Sequence, residues 1–97
     1  MIVRFVREAE QELDATVAYY DLQREGLGRE FASAVAVTRI SERPMAWQPL
    51  GPRTRRYRLN RFPYGLIYFI HADHIAIIAL AHHSRQPDYW MRRSVET

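Results

Sequence analysis

The densest chemistry in the chain lies near its end, where His82, His83, Arg85 and Tyr89 fall within eight residues and Trp90, Arg92 and Arg93 follow at once. A histidine beside arginines titrates near neutrality, and such a cluster can move protons while guanidinium groups stabilise a phosphorane's charge. That is metal-independent RNA cleavage: a base takes the 2′-hydroxyl proton, arginines hold the phosphate, and an acid protonates the leaving oxygen. The same residues also support a structural reading, in which a histidine hydrogen-bonds at a strand end and Tyr89 and Trp90 close the core.

A second concentration is Arg53 to Arg61, RTRRYRLNR, five arginines in nine residues leading into the apolar FPYGLIYFI. The chain has fourteen arginines and no lysine. Every cationic side chain is therefore a planar fork able to grip carboxylate or phosphate at two points. Residues 1 to 42 hold five arginines against eight acids, whereas 43 to 97 hold nine against three. This asymmetry predicts a basic working face on a more acidic support. His71 and His74 form an HxxH beside Asp73, too few converging ligands for a tetrahedral zinc site, and no metal or cofactor is expected. Phosphate-binding glycine loops, GxSxG elbows, HExxH helices and paired catalytic carboxylates are absent from the sequence.

These side chains need elements to hold them. Residues 2 to 6, IVRFV, read as a first strand. From Glu8 the apolar positions Ala9, Leu13, Val17 and Tyr20 recur at helical spacing, with acids crowding the first turns. Gly26 and Gly28 punctuate, and a second helix is predicted over about 27 to 42, forming an antiparallel hairpin with the first. Pro44, Pro49, Gly51 and Pro52 make a loop carrying Trp47. Strands follow at about 54 to 60, 64 to 70 and 75 to 81, the last two joined by a turn at His71 to His74. Alternation along the first of these buries Tyr57 and Leu59 and places Arg56 and Arg58 together on the opposite face, about 7 Å apart. Pro87 suits the first turn of a short C-terminal helix.

Ninety-seven residues suffice for one core and not two, so a single domain over 1–97 is expected. Absent cysteine and apolar runs of only about seven residues fit a cytoplasmic protein with no membrane span.

Taken in order, the helix closing on Tyr19 and Tyr20, the LGREF opening at Leu27, Arg61-Phe62-Pro63-Tyr64, and the closing His82, Arg85, Pro87, Tyr89 and Trp90 resemble the RelE/ParE toxin superfamily. The likeness is strongest to its ParE branch, the plasmid-stabilisation proteins. It implies an α+β fold of order β-α-α-β-β-β, with a helical hairpin packed on a small antiparallel sheet. It also implies the toxin of a type II toxin-antitoxin pair, neutralised by a cognate antitoxin. ParE-like members poison DNA gyrase, whereas RelE-like members cut mRNA in the ribosome. In the ribonuclease branch an arginine follows the aromatic at the start of the third strand, and here Gly65 follows Tyr64. A second catalytic arginine of that branch falls at His83, and its late tyrosine is matched by Tyr89. The closing motif of the ParE branch often reads HGRR and here reads His82-His83-Ser84-Arg85.

The reading that follows is a gyrase inhibitor acting by binding, with no catalytic residues, whose target- or antitoxin-binding residues are Arg56, Arg58, Arg61, Arg85, Tyr89, Arg92 and Arg93. One alternative is a metal-independent mRNA interferase using His83, Arg85 and Tyr89. Another is a non-toxic interaction or DNA-binding module. Both a homodimer and a toxin-antitoxin hetero-oligomer fit the resemblance.

Overall fold

The computed structural model describes residues 1–35 and 37–96. Strand β1 (Ile2–Phe5) leads through Val6, whose N–H donates to Ile77 O at 2.9 Å, directly into helix α1 (Arg7–Gln23). Glu8 and Glu10 occupy the first turn of α1, where the positive end of the helix dipole favours them. Ala9, Leu13, Thr16, Val17 and Tyr20 form its inward stripe. Thr16 fits this apolar stripe because its hydroxyl donates to Glu12 O at 2.7 Å.

Gly26 turns the chain at a φ of 85°, and α2 (Leu27–Ala34) returns alongside α1. Gly28 is required here by proximity: a Cβ would lie 2.4 Å from Val17 O and 2.8 Å from the Asp21 carboxyl. Its N–H instead donates to Asp21 Oδ1 at 2.8 Å, so the hairpin is pinned at its closest approach. The helix expected over 27 to 42 divides into α2 and α3 (Val37–Glu42). Val35 N–H bonds Ala32 O rather than the carbonyl one residue earlier, the tighter pairing that commonly ends a helix.

After a 3-10 turn at Pro44–Ala46 come β2 (Gln48–Pro49), β3 (Thr54–Arg58), β4 (Tyr64–Ile70) and β5 (His74–His82). The five strands form one sheet in the order β1-β5-β4-β3-β2. The architecture is α+β with the expected element order, helices covering one face. The sheet is mixed rather than wholly antiparallel, because β1 runs parallel to β5 at one edge. A two-residue strand, β2, also forms inside the segment expected to be a loop.

Core residues from both layers include Phe31, Ile40, Leu66, Tyr68, Ile75 and Ile77. Tyr20, Phe31, Phe62 and Tyr64 meet ring against ring at 5.0 to 6.3 Å, which joins the helical hairpin to the start of β4. Tyr57 and Leu59 are buried, as strand alternation requires, and Tyr57 pairs with Leu66 in the β3–β4 ladder.

The β4–β5 ladder has a register shift at Ile67 and Tyr68, whose partners are Ala79 and Ile77, so Ile78 is left over. This bulge lets Leu80 on one side and Ile77 and Ile75 on the other all face the helices. It also matters for the site, because β1 covers β5 only from His74 to Ile77 and leaves its later edge without a strand neighbour.

The C-terminal helix expected from Pro87 does not form. Residues 87–93 make single turns, with Met91 N–H on Asp88 O and Arg93 N–H on Trp90 O, each 3.0 Å. Asp88 sits at a φ of 69°, left-handed backbone that interrupts a right-handed helix. The segment ends near the β4–β5 turn, where His71 Nε2 donates to Val95 O at 2.7 Å.

Candidate functional site

The bare edge of β5 must satisfy its polar backbone groups, and two side chains do so. Arg93 donates to Ile78 O at 2.9 Å, using the carbonyl of the bulged residue. Glu12, from the middle of α1, accepts from Leu80 N–H at 3.0 Å. Arg93 and Glu12 then meet fork to fork at 2.8 and 2.9 Å, and Tyr89 donates its hydroxyl to Glu12 at 2.7 Å. The pair is largely enclosed, with 16% and 18% of the two side chains exposed. Burial pushes the Glu12 carboxyl up, but the hydrogen bonds from Arg93, Tyr89 and Leu80 outweigh it and hold Glu12 below the usual carboxylate value. Burial, then the bond to the Glu12 carboxylate, raises the Tyr89 phenol.

Arg93 and Tyr89, expected on the binding face, thus have their polar groups committed to α1. Arg61, also expected there, turns to the other side and shares Glu30 with Arg24. Bonds from Arg61 and then Arg24 hold the Glu30 carboxyl below its ordinary value. The arginine run is therefore not one patch. Arg53 Nε binds Ile70 O at 2.8 Å, and Arg55 binds Met45 O and Trp47 O at 3.1 and 3.0 Å, clamping the loop before β2.

Arg56 and Arg58 do share the face of β3 that points away from the helices. Arg56 lays its methylenes over Gly65, where a Cβ would sit 3.5 Å from its Cγ and Cδ. Its Nε donates to Gln48 Oε1 at 3.1 Å, which fixes the direction of the fork and leaves both terminal nitrogens without a partner among the described residues. Arg58 and Arg92 are exposed and make no ion pair or side-chain hydrogen bond among the described residues. Arg85 stacks on the Tyr89 ring with its central carbon 3.8 Å from the centroid, and its N–H groups are likewise unpartnered there.

Arg56 and Arg85 line one cleft of about 230 Å³, bounded by the outer face of the sheet at Ile67 and Ala81, by Leu50, and by residues 82 to 90. His83, Tyr89 and Trp90 also line it. His83 is exposed. His82 accepts the Ser84 N–H on Nδ1 at 3.0 Å, and its ring meets Tyr64 edge-on at 5.0 Å. His71 and His74 stack at 4.3 Å, with His74 Nδ1 bonded to Asp73. Among the described residues no group of three or more histidine or acidic side chains converges to hold a metal ion.

The sequence reading missed Glu12, Gln48 and Leu50. Glu12 lies off the Ala9, Leu13, Val17 and Tyr20 spacing, and nothing in helical periodicity reveals that the edge of β5 stands opposite. Gln48 was hidden inside a proline-rich segment, where only the strand pairing gives it an address.

A two-helix hairpin on one face of a mixed sheet, with guanidinium groups on the other, defines a small α+β domain with a cationic sheet face. Residues 3–87 match the family described as "ParE toxin of type II toxin-antitoxin system, parDE". The chain belongs to this family, and with it to the toxins of type II toxin-antitoxin systems. No curated protein matches the sequence at a significant level. Among solved structures, a chain of the "Chromosomal ParDE TA system from P. aeruginosa" superposes with a TM-score of 0.68 at 17% identity, over 84% of this chain and 95% of that one. At that identity the likeness is one of fold.

Proposed function

We propose that the protein is a cytoplasmic toxin, one domain over 1–97, that inhibits DNA gyrase by binding it and is neutralised by a cognate antitoxin. The observation that carries the choice of binding over bond cleavage is the Glu12 cluster. Tyr89, one of the three residues of the ribonuclease reading, donates its hydroxyl to Glu12. Its phenol is raised, so it yields a proton less readily. Gly65 and His83 stand where that reading wants arginines, which removes much of the charge stabilisation a phosphorane needs. What is left is oriented cationic surface, suited to recognition. The antitoxin's role rests on family membership and on the paired system named for the structural neighbour.

A specific observation keeps the interferase as a second reading, since His83 and Arg85 line the same cleft. The deciding experiment adds purified protein to a gyrase supercoiling assay, with and without the product of the neighbouring reading frame. Inhibition relieved by that product is expected. Unchanged supercoiling together with cleavage of ribosome-bound message, lost in His83→Ala, would refute the binding mechanism.

A further inference from the structure

We propose that the cleft between the outer sheet face and residues 82 to 90 takes a single carboxylate borne on an apolar arm, as an acidic side chain flanked by aliphatic residues in a protein partner presents it. The proposal rests on the reading of this face as a recognition surface, and it names the group recognised.

The cleft holds unspent hydrogen-bonding capacity. Arg93 and Arg61 have carboxylate partners, but Arg56 and Arg85 have none among the described residues. Both are nonetheless held in place, one by Gln48 and the stem contact over Gly65, the other by the Tyr89 ring. A held fork with open donors binds an anion without the usual cost of ordering a long side chain.

The charge of the cleft suits one carboxylate. The lining contains two guanidinium groups, Arg56 and Arg85, and one carboxylate, Asp88. With its histidines neutral the cleft carries one net positive charge, which matches a monoanion and would be overrun by a dense polyanion. Size and polarity agree. About 230 Å³ is below the roughly 300–1,000 Å³ of sites that swallow a small molecule whole, so a side chain projected from a larger partner fits better than a free metabolite. Leu50, Ile67 and Trp90 offer apolar wall to the arm that carries the charge. A nucleic-acid strand would want bare aromatic platforms along a cationic track, and here Arg85 covers a face of Tyr89.

The test uses the full chain and two capped heptapeptides, each a glycine-serine chain with a central leucine-X-leucine, X being glutamate in one and glutamine in the other. A ten-nucleotide single-stranded oligothymidylate is the third probe. Binding is followed by NMR, where the indole N–H of Trp90 is the local reporter and that of Trp47, packed on Tyr57 at 4.6 Å, is the internal control. The glutamate peptide should bind at least about tenfold tighter than its glutamine twin and shift the Trp90 signal. Arg56→Gln and Arg85→Gln should each weaken it about tenfold, with unchanged melting temperatures. Arg29→Gln, on the exposed side of α2, should leave binding as it was.

Equal affinity for both peptides, no binding of either at millimolar concentration, or tighter binding of the oligonucleotide lost in the same two variants would each overturn the proposal. The gyrase assay separates the two levels. Inhibition without glutamate-peptide binding sinks the cleft assignment alone, and arginine-dependent peptide binding without inhibition sinks the gyrase reading alone.

Discussion

Replacing Glu12 by alanine is the sharpest perturbation available, because one carboxylate ties the helical layer, the bare edge of β5 and the C-terminal segment together. Four hydrogen bonds end on it: two from Arg93, one from Tyr89 and one from Leu80 N–H. Truncation leaves a guanidinium whose side chain is only 16% exposed without its counter-charge. Breaking a buried pair in this way costs about 3–5 kcal/mol, and the residual exposure places Glu12→Ala near the lower end, about 3 kcal/mol. For a domain of this size that is a fall in melting temperature of roughly 12–24 °C. Glu12→Gln keeps an acceptor for Leu80 and loses the charge, so it should fall between alanine and wild type. Calorimetry of Glu12→Ala, Arg93→Ala and the double variant then gives the coupling, and the double variant should be far less destabilised than the two singles added together. The pH dependence follows from the direction of the shift. Glu12 is held below its ordinary value of 4.5, so its contribution is complete above that pH and is lost as pH falls through the lower folded value. The gap between wild type and Glu12→Gln should therefore close on acidification below about pH 4.5. A Glu12→Ala protein melting within about 3 °C of wild type would refute the reasoning, since that is the behaviour of an exposed pair.

Three further outcomes are expected. Gly28→Ala drives a methyl into Val17 O and the Asp21 carboxyl, so the helical hairpin must open; a loss of about 2 kcal/mol in denaturant unfolding is expected, with β5 amides keeping their exchange protection longest. Tyr89→Phe removes the bond to Glu12 and keeps the ring under Arg85, so stability should fall by about 1–2 kcal/mol while toxicity on expression persists; complete loss of toxicity in a folded protein would favour the interferase reading. Tyr68, buried with its hydroxyl donating to Pro44 O, is pushed up to about 12. Its stabilisation is complete below the ordinary phenol value of 10.0 and is lost as pH rises toward 12, and spectrophotometric titration should show the Tyr68 and Tyr89 phenols ionising well above that ordinary value.

What the sequence disclosed and what it hid divide along a physical line. Strand alternation placed Tyr57 inward and Arg56 and Arg58 outward, because both facts are local to one strand. Helical periodicity located α1 and the start of α2 for the same reason. The parallel placement of β1 was not local, since IVRFV reads alike whichever way its neighbour runs. Nor was the fate of Arg93, which depends on a partner 81 positions away and on a bulge that leaves Ile78 O without a strand partner. The predicted C-terminal helix failed through the same tertiary demand. Tyr89 and Arg93 both reach Glu12, and with Asp88 at positive φ the segment is shaped by those contacts rather than by its own propensity.

Composition alone makes every guanidinium equal, and the two halves of the chain looked like an acidic support and a basic face. In the folded protein part of that asymmetry cancels internally, through Glu12 with Arg93 and Glu30 with Arg24 and Arg61. Cations neutralised in this way steer nothing, because a partner sees the pair as a dipole. Within the cleft the field that remains comes from Arg56 and Arg85, opposed by Asp88. Internal pairing also does mechanical work for the groups left free: Glu12 fixes Tyr89, and Tyr89 is the surface on which Arg85 lies. Loss of Glu12 should thus weaken partner binding through Arg85 even though no atom of Glu12 need touch the partner, and Arg85→Gln should remove most of that difference when the two changes are combined.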